Sequence, residues 1–228
     1  MRNTWGGWYD FGGLQAVVVG DTRGIGKGVS DALKECGADV FGINTSNCDI
    51  SKKDDMDKWF YDFEAVDILV NVAAINHCKK IEDIDFDEWT KVLNVNLRGY
   101  YYIIKKTLEI MPNQGRIVNV SSIAGRHRSY VSGVHYTSSK AGIIGLTKQV
   151  AFEVAKRGIT VNAVCPSQTK TDMLEQSMTK EEIRKLGETI PLNRVAEVSE
   201  VVEPILFLCS DGASYITGTT LDINGGQL

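Results

Sequence analysis

No basic cluster interrupts this 228-residue chain, no two cysteines form a CxxC pair, and no apolar run approaches the roughly 18–20 residues of a membrane helix. Without a basic run, and with a formal net charge of −4, there is no electrostatic reason to expect a nucleic-acid partner. The opening residues, Met1–Asp10, lack the apolar segment of a secretory signal, so the cytoplasm is the expected compartment. The five cysteines (Cys36, Cys48, Cys78, Cys165, Cys209) are odd in number and scattered. That excludes a disulfide framework and a zinc-binding pattern, and reads each as a small core hydrophobe. His77, His127 and His135 show neither metal-ligand spacing nor a triad pattern and read as structural or loop residues. No internal repeat, low-complexity segment or linker divides the chain.

What is present is ordinary for a globular protein: 43% hydrophobic and 24% charged residues, enough for a substantial core without staples. Short β-branched runs alternate with longer amphipathic stretches. Strands are expected at Ala16–Gly20, Val40–Ile43, Asp67–Val72, Arg116–Ser121, Ile159–Val164 and Thr219–Ile223. Helices are expected at Ile25–Cys36, near Phe86–Met111, Val134–Lys156 and Glu200–Ser210. This alternation implies right-handed βαβ units, an α/β fold with a doubly wound parallel sheet and helices on both faces. The chain reads as one domain, 1–228, with a leader at 1–12 whose Trp5 and Trp8 dock as a surface tail or pack on a neighbouring subunit. The least regular stretch, 166–191, is placed to cover a ligand crevice at the carboxyl ends of the strands. Its Met173, Leu174 and Met178 face either that ligand or the core.

Two local patterns carry chemistry. Gly20-Asp21-Thr22-Arg23-Gly24-Ile25-Gly26 follows a strand and opens a helix. Glycines there let the backbone approach a pyrophosphate, which the helix N-terminus then attracts. The spacing differs from GxGxxG and argues against a methyltransferase. Farther on, Tyr136 and Lys140 stand four residues apart, on one helical face, with Ser122 fourteen residues before the tyrosine. A phenol beside an ammonium is a proton donor and acceptor, since the positive charge favours the phenolate. Ketone reduction needs a hydride at carbon and a proton at oxygen.

These motifs, with Asn71-Val-Ala-Ala74, Asn94-Val-Asn96, Val120-Ser-Ser122, Val161-Asn-Ala-Val-Cys-Pro166 and Tyr215-Ile-Thr-Gly through Asp222-Ile-Asn-Gly-Gly226, resemble the short-chain dehydrogenase/reductase family from about Phe11 to Gly226. The resemblance implies a Rossmann fold and hydride transfer between a nicotinamide cofactor and an alcohol or ketone. It makes Tyr136 the general acid/base and has Lys140 also bind the nicotinamide ribose. Ser122, through Ser122-Ile-Ala-Gly125, would hold the substrate oxygen, and Asn96 a water in a proton relay. It assigns Gly20, Thr22, Arg23, Gly24, Ile25 and Gly26 to the phosphates, Asn44 to the ribose end, Asp49 and Ile50 to the adenine, and Asn71 and Ala73 to the adenosine side. Pro166, Thr169 and Thr171 complete the cofactor set, Thr171 at the carboxamide.

Asn44 stands where NAD enzymes carry an acid, and Arg23 favours NADP over NAD, although Asp21 introduces an opposing charge. Only five residues separate Ile43 from Asp49, where the family has a helix and a strand, so that sheet edge is expected to be shortened. Arg126, Arg128 and Tyr130 either meet an anionic or sugar-like substrate or stand in solvent. The resemblance also implies that the helices near Phe86–Met111 and Val134–Lys156 pair across a two-fold axis, giving a homodimer or homotetramer. The rival reading is a non-catalytic dinucleotide-binding regulator on the same fold. The chain is too short for the family's epimerases and dehydratases with a separate substrate domain.

Overall fold

Successive residues of a strand face opposite sides of its sheet, and the first strand is apolar on both. In β1 (Gln15–Val19), Ala16 and Val18 join one buried cluster while Val17 and Val19 join the other. Every residue of β3 (Ile68–Asn71), β4 (Arg116–Val120) and β5 (Thr160–Pro166) is buried. This is the pattern of a parallel sheet covered on two faces. In the computed structural model, which describes residues 5–228, β1, β3, β4 and β5 pair in parallel with β2 (Asp39–Ile43) and β6 (Thr220–Ile223), in the order β2-β1-β3-β4-β5-β6.

One face is covered by α1 (Gly24–Glu35) and α9 (Val198–Cys209), which bury Val29, Leu33, Val201, Val202, Ile205 and Leu206 against the sheet. The other is covered by α2 (Lys53–Phe60), α4 (Gly99–Ile110) and α6 (Val134–Val154), which contribute Met56, Phe60, Ile103, Ile104, Ala151 and Val154. The predicted strands and helices are all present, with ends shifted by one or two residues, as fraying allows. The stretch near Phe86–Met111 is not one α-helix: α3 (Phe86–Leu93) and α4 are joined by a wide π turn at Asn94–Arg98. Sequence reading also passed over α2, the four-residue α5 (Ile123–Arg126), and two helices within 166–191, α7 (Asp172–Ser177) and α8 (Lys180–Glu188). The last begins with a reciprocal Thr179–Glu182 cap.

The shortened edge is present. β2 is the outermost strand, and the chain passes from it through 44–52 directly into α2. Phe41 of β2 meets the Phe63 ring edge-on at 5.0 Å, and Trp59 stacks on Phe63 at 4.4 Å. Residues 1–4 of the leader lie outside the described residues. From Trp5 onward it is docked: Trp5 packs against the core, Trp8 is exposed, and the Tyr9 hydroxyl donates to Glu203 at 3.0 Å. Phe11 is a core residue.

Leu33 is fully buried between α1, the sheet and α9. Leu33→Ala is expected to destabilise the fold by about 2–5 kcal/mol, read as a lower urea midpoint at unchanged slope.

Candidate active site

Two hydrogen bonds run in opposite directions between the end of β4 and the second turn of α6. The Ser121 hydroxyl donates to the Lys140 carbonyl at 2.7 Å, and the Lys140 ammonium donates to the Val120 carbonyl at 2.7 Å. Gly125 in α5 lies so near α6 that a Cβ there would stand 2.5 Å from the Lys140 carbonyl carbon. Strand end, short helix and long helix are therefore in backbone contact.

This contact sets the reacting groups. Ser122 is the N-cap of α5 and accepts from the Ala124 amide at 3.1 Å. Its hydroxyl is placed to pull the Tyr136 phenol toward a lower pKa. Ser121 is turned to α6, so Ser122 is the hydroxyl at the phenol. Tyr136 is half-buried, and burial pushes its phenol up to about 12 against the pull of the Ser122 hydroxyl. Lys140 is 1% exposed, and burial pushes its ammonium down to about 7. Its nitrogen lies 5.5 Å from the Tyr136 ring centroid and 5.7 Å from that of Tyr100, within cation–π range. The Lys140 nitrogen thus lies beside the phenol ring while it donates to Val120, and burial is the largest influence on the phenol.

Asn96 sits in the π turn, fully buried. Its amide donates to the Ile75 carbonyl at 2.9 Å and to Ser139 Oγ at 3.1 Å, and its oxygen accepts from the Ile75 amide at 2.9 Å. The Asn96 side chain is thus a clip that fixes the segment after β3 to α6. Beside it, three residues far apart in sequence converge. His77 Nδ1 is 2.7 Å from Glu88 Oε1, His135 Nε2 is 3.6 Å from the same oxygen, and Lys79 donates to Oε2 at 2.6 Å. The Lys79 bond and then the His77 bond hold the Glu88 carboxyl down at about 2. The spacing of the histidines gave no sign of this cluster. A metal is poorly suited to it, because the Lys79 ammonium is already on the carboxylate and His135 Nδ1 accepts from the Tyr136 amide at 2.8 Å. That last bond ties the network to the start of α6, directly at Tyr136.

The glycine turn fits a dinucleotide phosphate. Gly20 has a φ of 90°, where a side chain would be strained, and a Cβ on Gly26 would collide with the Gly20 carbonyl oxygen. No side chain caps the first turn of α1, so its amides are available to an anion. A Cβ on Gly24 would stand 3.2 Å from the Thr171 methyl, which brings the N-cap of α7 across from the turn. Thr22 and Arg23 are exposed, and Ile25 is half-buried. Ala73 backs the turn through its amide, which donates to the Val19 carbonyl at 2.8 Å. Pro166 ends β5, and Thr169, nearly buried, donates to the Ser167 carbonyl at 3.2 Å.

Two of the adenosine-side residues are engaged within the protein. The Asn71 side chain is fully buried and donates to Asn119 at 2.8 Å. Ile50 is a core residue against Gly99, so only Asp49 of that pair is half-exposed, with its carboxylate on the Ser51 amide and hydroxyl. Arg126 is paired with Asp222 at 3.0 Å, and Arg128 donates to Tyr130 at 3.2 Å, all on the exposed surface. Leu174 and Met178 are half-buried, and the Met173 side chain lies outside the described residues.

A family model described as enoyl-(acyl carrier protein) reductase matches residues 41–227. The chain belongs to the short-chain dehydrogenase/reductase family. Among curated members it is 36% identical to the 3-oxoacyl-[acyl-carrier-protein] reductase FabG of Aquifex aeolicus, over 94% of this chain and 97% of that protein. It is 34% identical to the acetoacetyl-CoA reductase of Shinella zoogloeoides, over 93% and 97%. Among solved structures, the ligand-free aldohexose dehydrogenase of Thermoplasma acidophilum superposes with a TM-score of 0.87 at 29% identity, over 97% of this chain and 95% of that one. This short-chain dehydrogenase/reductase is accordingly an oxidoreductase acting on C=O or CH–OH groups with a nicotinamide cofactor.

The buried lysine gives a signed pH effect. Lys140 is lowered from 10.5 to about 7 on folding, so between those values the unfolded chain holds a proton that the folded chain does not. Stability contributed at this site rises with pH across that window. Wild type is expected to gain stability relative to Lys140→Met between pH 7 and 10, by up to about 1.4 kcal/mol per pH unit, measured by urea unfolding of both proteins.

Proposed function

We propose that this enzyme reduces the ketone of a small or medium carbonyl compound. A 3-oxoacyl thioester is the substrate class favoured by the names of the two curated relatives. The cofactor supplies the hydride. Ser122, its oxygen held by the Ala124 amide, donates to the substrate carbonyl and fixes it beside Tyr136. Tyr136 delivers the proton as the alkoxide forms. Lys140 lies beside the phenol ring and donates to the Val120 carbonyl, and Asn96 locks the segment after β3 to the helix that carries both. The observation that carries this reading is the fully buried Lys140, bonded to the Val120 carbonyl at the end of the strand that leads to Ser122 and lying 5.5 Å from the centre of the Tyr136 ring.

The charges support reduction as the working direction. A phenol held at about 12 is protonated in the ligand-free enzyme, which is the form needed to protonate an alkoxide. For the cofactor, Arg23 alone favours NADP and Asp21 opposes it. Segment 166–191 we read as the cover of the crevice, within a single catalytic domain spanning 1–228. Nothing observed favours the non-catalytic regulator.

Tyr136→Phe is expected to lower acetoacetyl-CoA-dependent oxidation of NADH or NADPH about 10²–10⁴-fold while leaving nicotinamide dinucleotide binding intact. Unchanged turnover in that variant overturns the reading. Failure of acetoacetyl-CoA in a panel where aldohexoses react overturns the thioester class alone.

We further propose a homodimer or homotetramer built on α3, α4 and α6. Phe86, Tyr101 and Phe152 on these helices are exposed, Phe152 by 81%, and apolar rings left in water are what a partner surface would cover. Sedimentation equilibrium is expected to give a dimer or larger species that Phe152→Glu weakens; a monomer throughout overturns the proposal.

A further inference from the structure

Dinucleotide folds commonly read the adenosine ribose with an acidic side chain about twenty residues beyond the glycine turn, at the end of the second strand. Here β2 ends Ile43-Asn44-Thr45-Ser46-Asn47, without an acid or a base. The place is nonetheless occupied by a carboxylate from another element. The Gly20 amide donates to the Ile43 carbonyl at 2.7 Å, drawing the glycine turn onto the tip of β2. Asp21, the next residue, then lies over Gly42 so closely that a Cβ there would collide with its carboxylate. Asn44 donates its side-chain amide to Asp21 Oδ1 at 3.0 Å. The orientation of that amide is fixed, because Asn44 Oδ1 accepts from the Ser46 amide at 3.0 Å and from the Ser46 hydroxyl at 2.5 Å.

We propose that Asp21, delivered from the glycine turn and held over Gly42 by Asn44, selects NAD(H) over NADP(H) by accepting a hydrogen bond from the adenosine 2′-hydroxyl. The proposal rests on the reading of the turn as a nicotinamide dinucleotide site. A 2′-phosphate at this position would face a fixed, half-buried carboxylate. The loop 44–48 contains no lysine or arginine to neutralise it. Arg23, the cation within the turn, is exposed and has no ion pair among the described residues, so its attraction is screened by solvent while the repulsion from Asp21 is local. Together these reverse the preference that Arg23 alone suggests. A glycine at 42 and an asparagine at 44 also acquire a reason: the first makes room for the carboxylate and the second orients it.

Calorimetric titration of the full chain with NADH and with NADPH tests this without turnover. Wild type is expected to bind NADH at least about tenfold more tightly, the effect of one local like-charge contact. Asp21→Asn keeps the shape and removes the charge, and is expected to bring the two affinities within about threefold, chiefly by tightening NADPH. Asp21→Ser serves as the second variant should circular dichroism show the first unfolded. Equal or tighter NADPH binding by wild type, or an unchanged ratio in a folded variant, overturns the proposal and leaves the reductase reading standing. Binding of neither dinucleotide overturns both. Loss of the Tyr136→Phe effect on turnover, with the affinity ratio as expected, removes only the assigned chemistry.

Discussion

The reacting groups exist as a set because the end of β4 and the second turn of α6 are held at backbone contact. Ser121 reaches from the strand to the helix carbonyl at Lys140, Lys140 reaches from the helix to the strand carbonyl at Val120, and Gly125 lets the intervening short helix lie flat against both. Each bond is buried, so losing one leaves a polar group without water and costs more than the bond itself contributes. Ser122 and Tyr136 follow from this contact: one is the next residue on the strand side, the other lies one turn earlier on the helix. A residue larger than glycine at 125 would separate the hydroxyl from the phenol without touching either.

The glycine turn is built under a similar rule of close approach. Gly26 has no space for a side chain beside the Gly20 carbonyl, and Gly20 itself is bonded to the tip of β2. In a sheet that continued past β2, further elements could shape the ribose pocket. Here the chain turns directly from β2 into α2, leaving the tip of β2 to be furnished by its neighbours. The turn supplies the carboxylate and β2 supplies the space and the orienting amide. The shortened edge and the displaced acid are thus parts of one local solution.

The parts legible in the sequence were those set by spacing along one element. Tyr136 and Lys140 share a helical face by their four-residue separation, and the glycines announce themselves between a strand and a helix. Alternation of short β-branched runs with amphipathic stretches gave the sheet. What stayed hidden was set by contacts between distant segments. Asn71 was placed by the resemblance alone, and nothing in its spacing showed that its side chain meets Asn119, which with Thr147 completes a buried chain of amide and hydroxyl. His77, Glu88 and His135 converge from three segments, and no spacing rule reaches across them. Asn44 and Asp21, 23 residues apart, were read separately as an absent acid and a misplaced one. The π turn at Asn94–Arg98 left no mark in a pattern that suits an unbroken helix, yet it is what carries the Asn96 amide to Ile75 and Ser139.

Burial acts on the phenol and the ammonium in opposite senses, and this bears on direction. A low-polarity setting disfavours both charged forms, holding Tyr136 near 12 and Lys140 near 7, so the ligand-free site rests with a neutral phenol. Making phenolate there means separating charge against desolvation, which the Ser122 hydroxyl offsets only in part. Donating a proton from the same phenol to a developing alkoxide, a stronger base than phenolate, runs downhill. The site is therefore prepared for protonating an oxygen and must be assisted to deprotonate one. That assistance has to come from positive charge brought close to the phenol, and within this chain the only such charge in contact with its ring among the described residues is Lys140, already committed to the Val120 carbonyl.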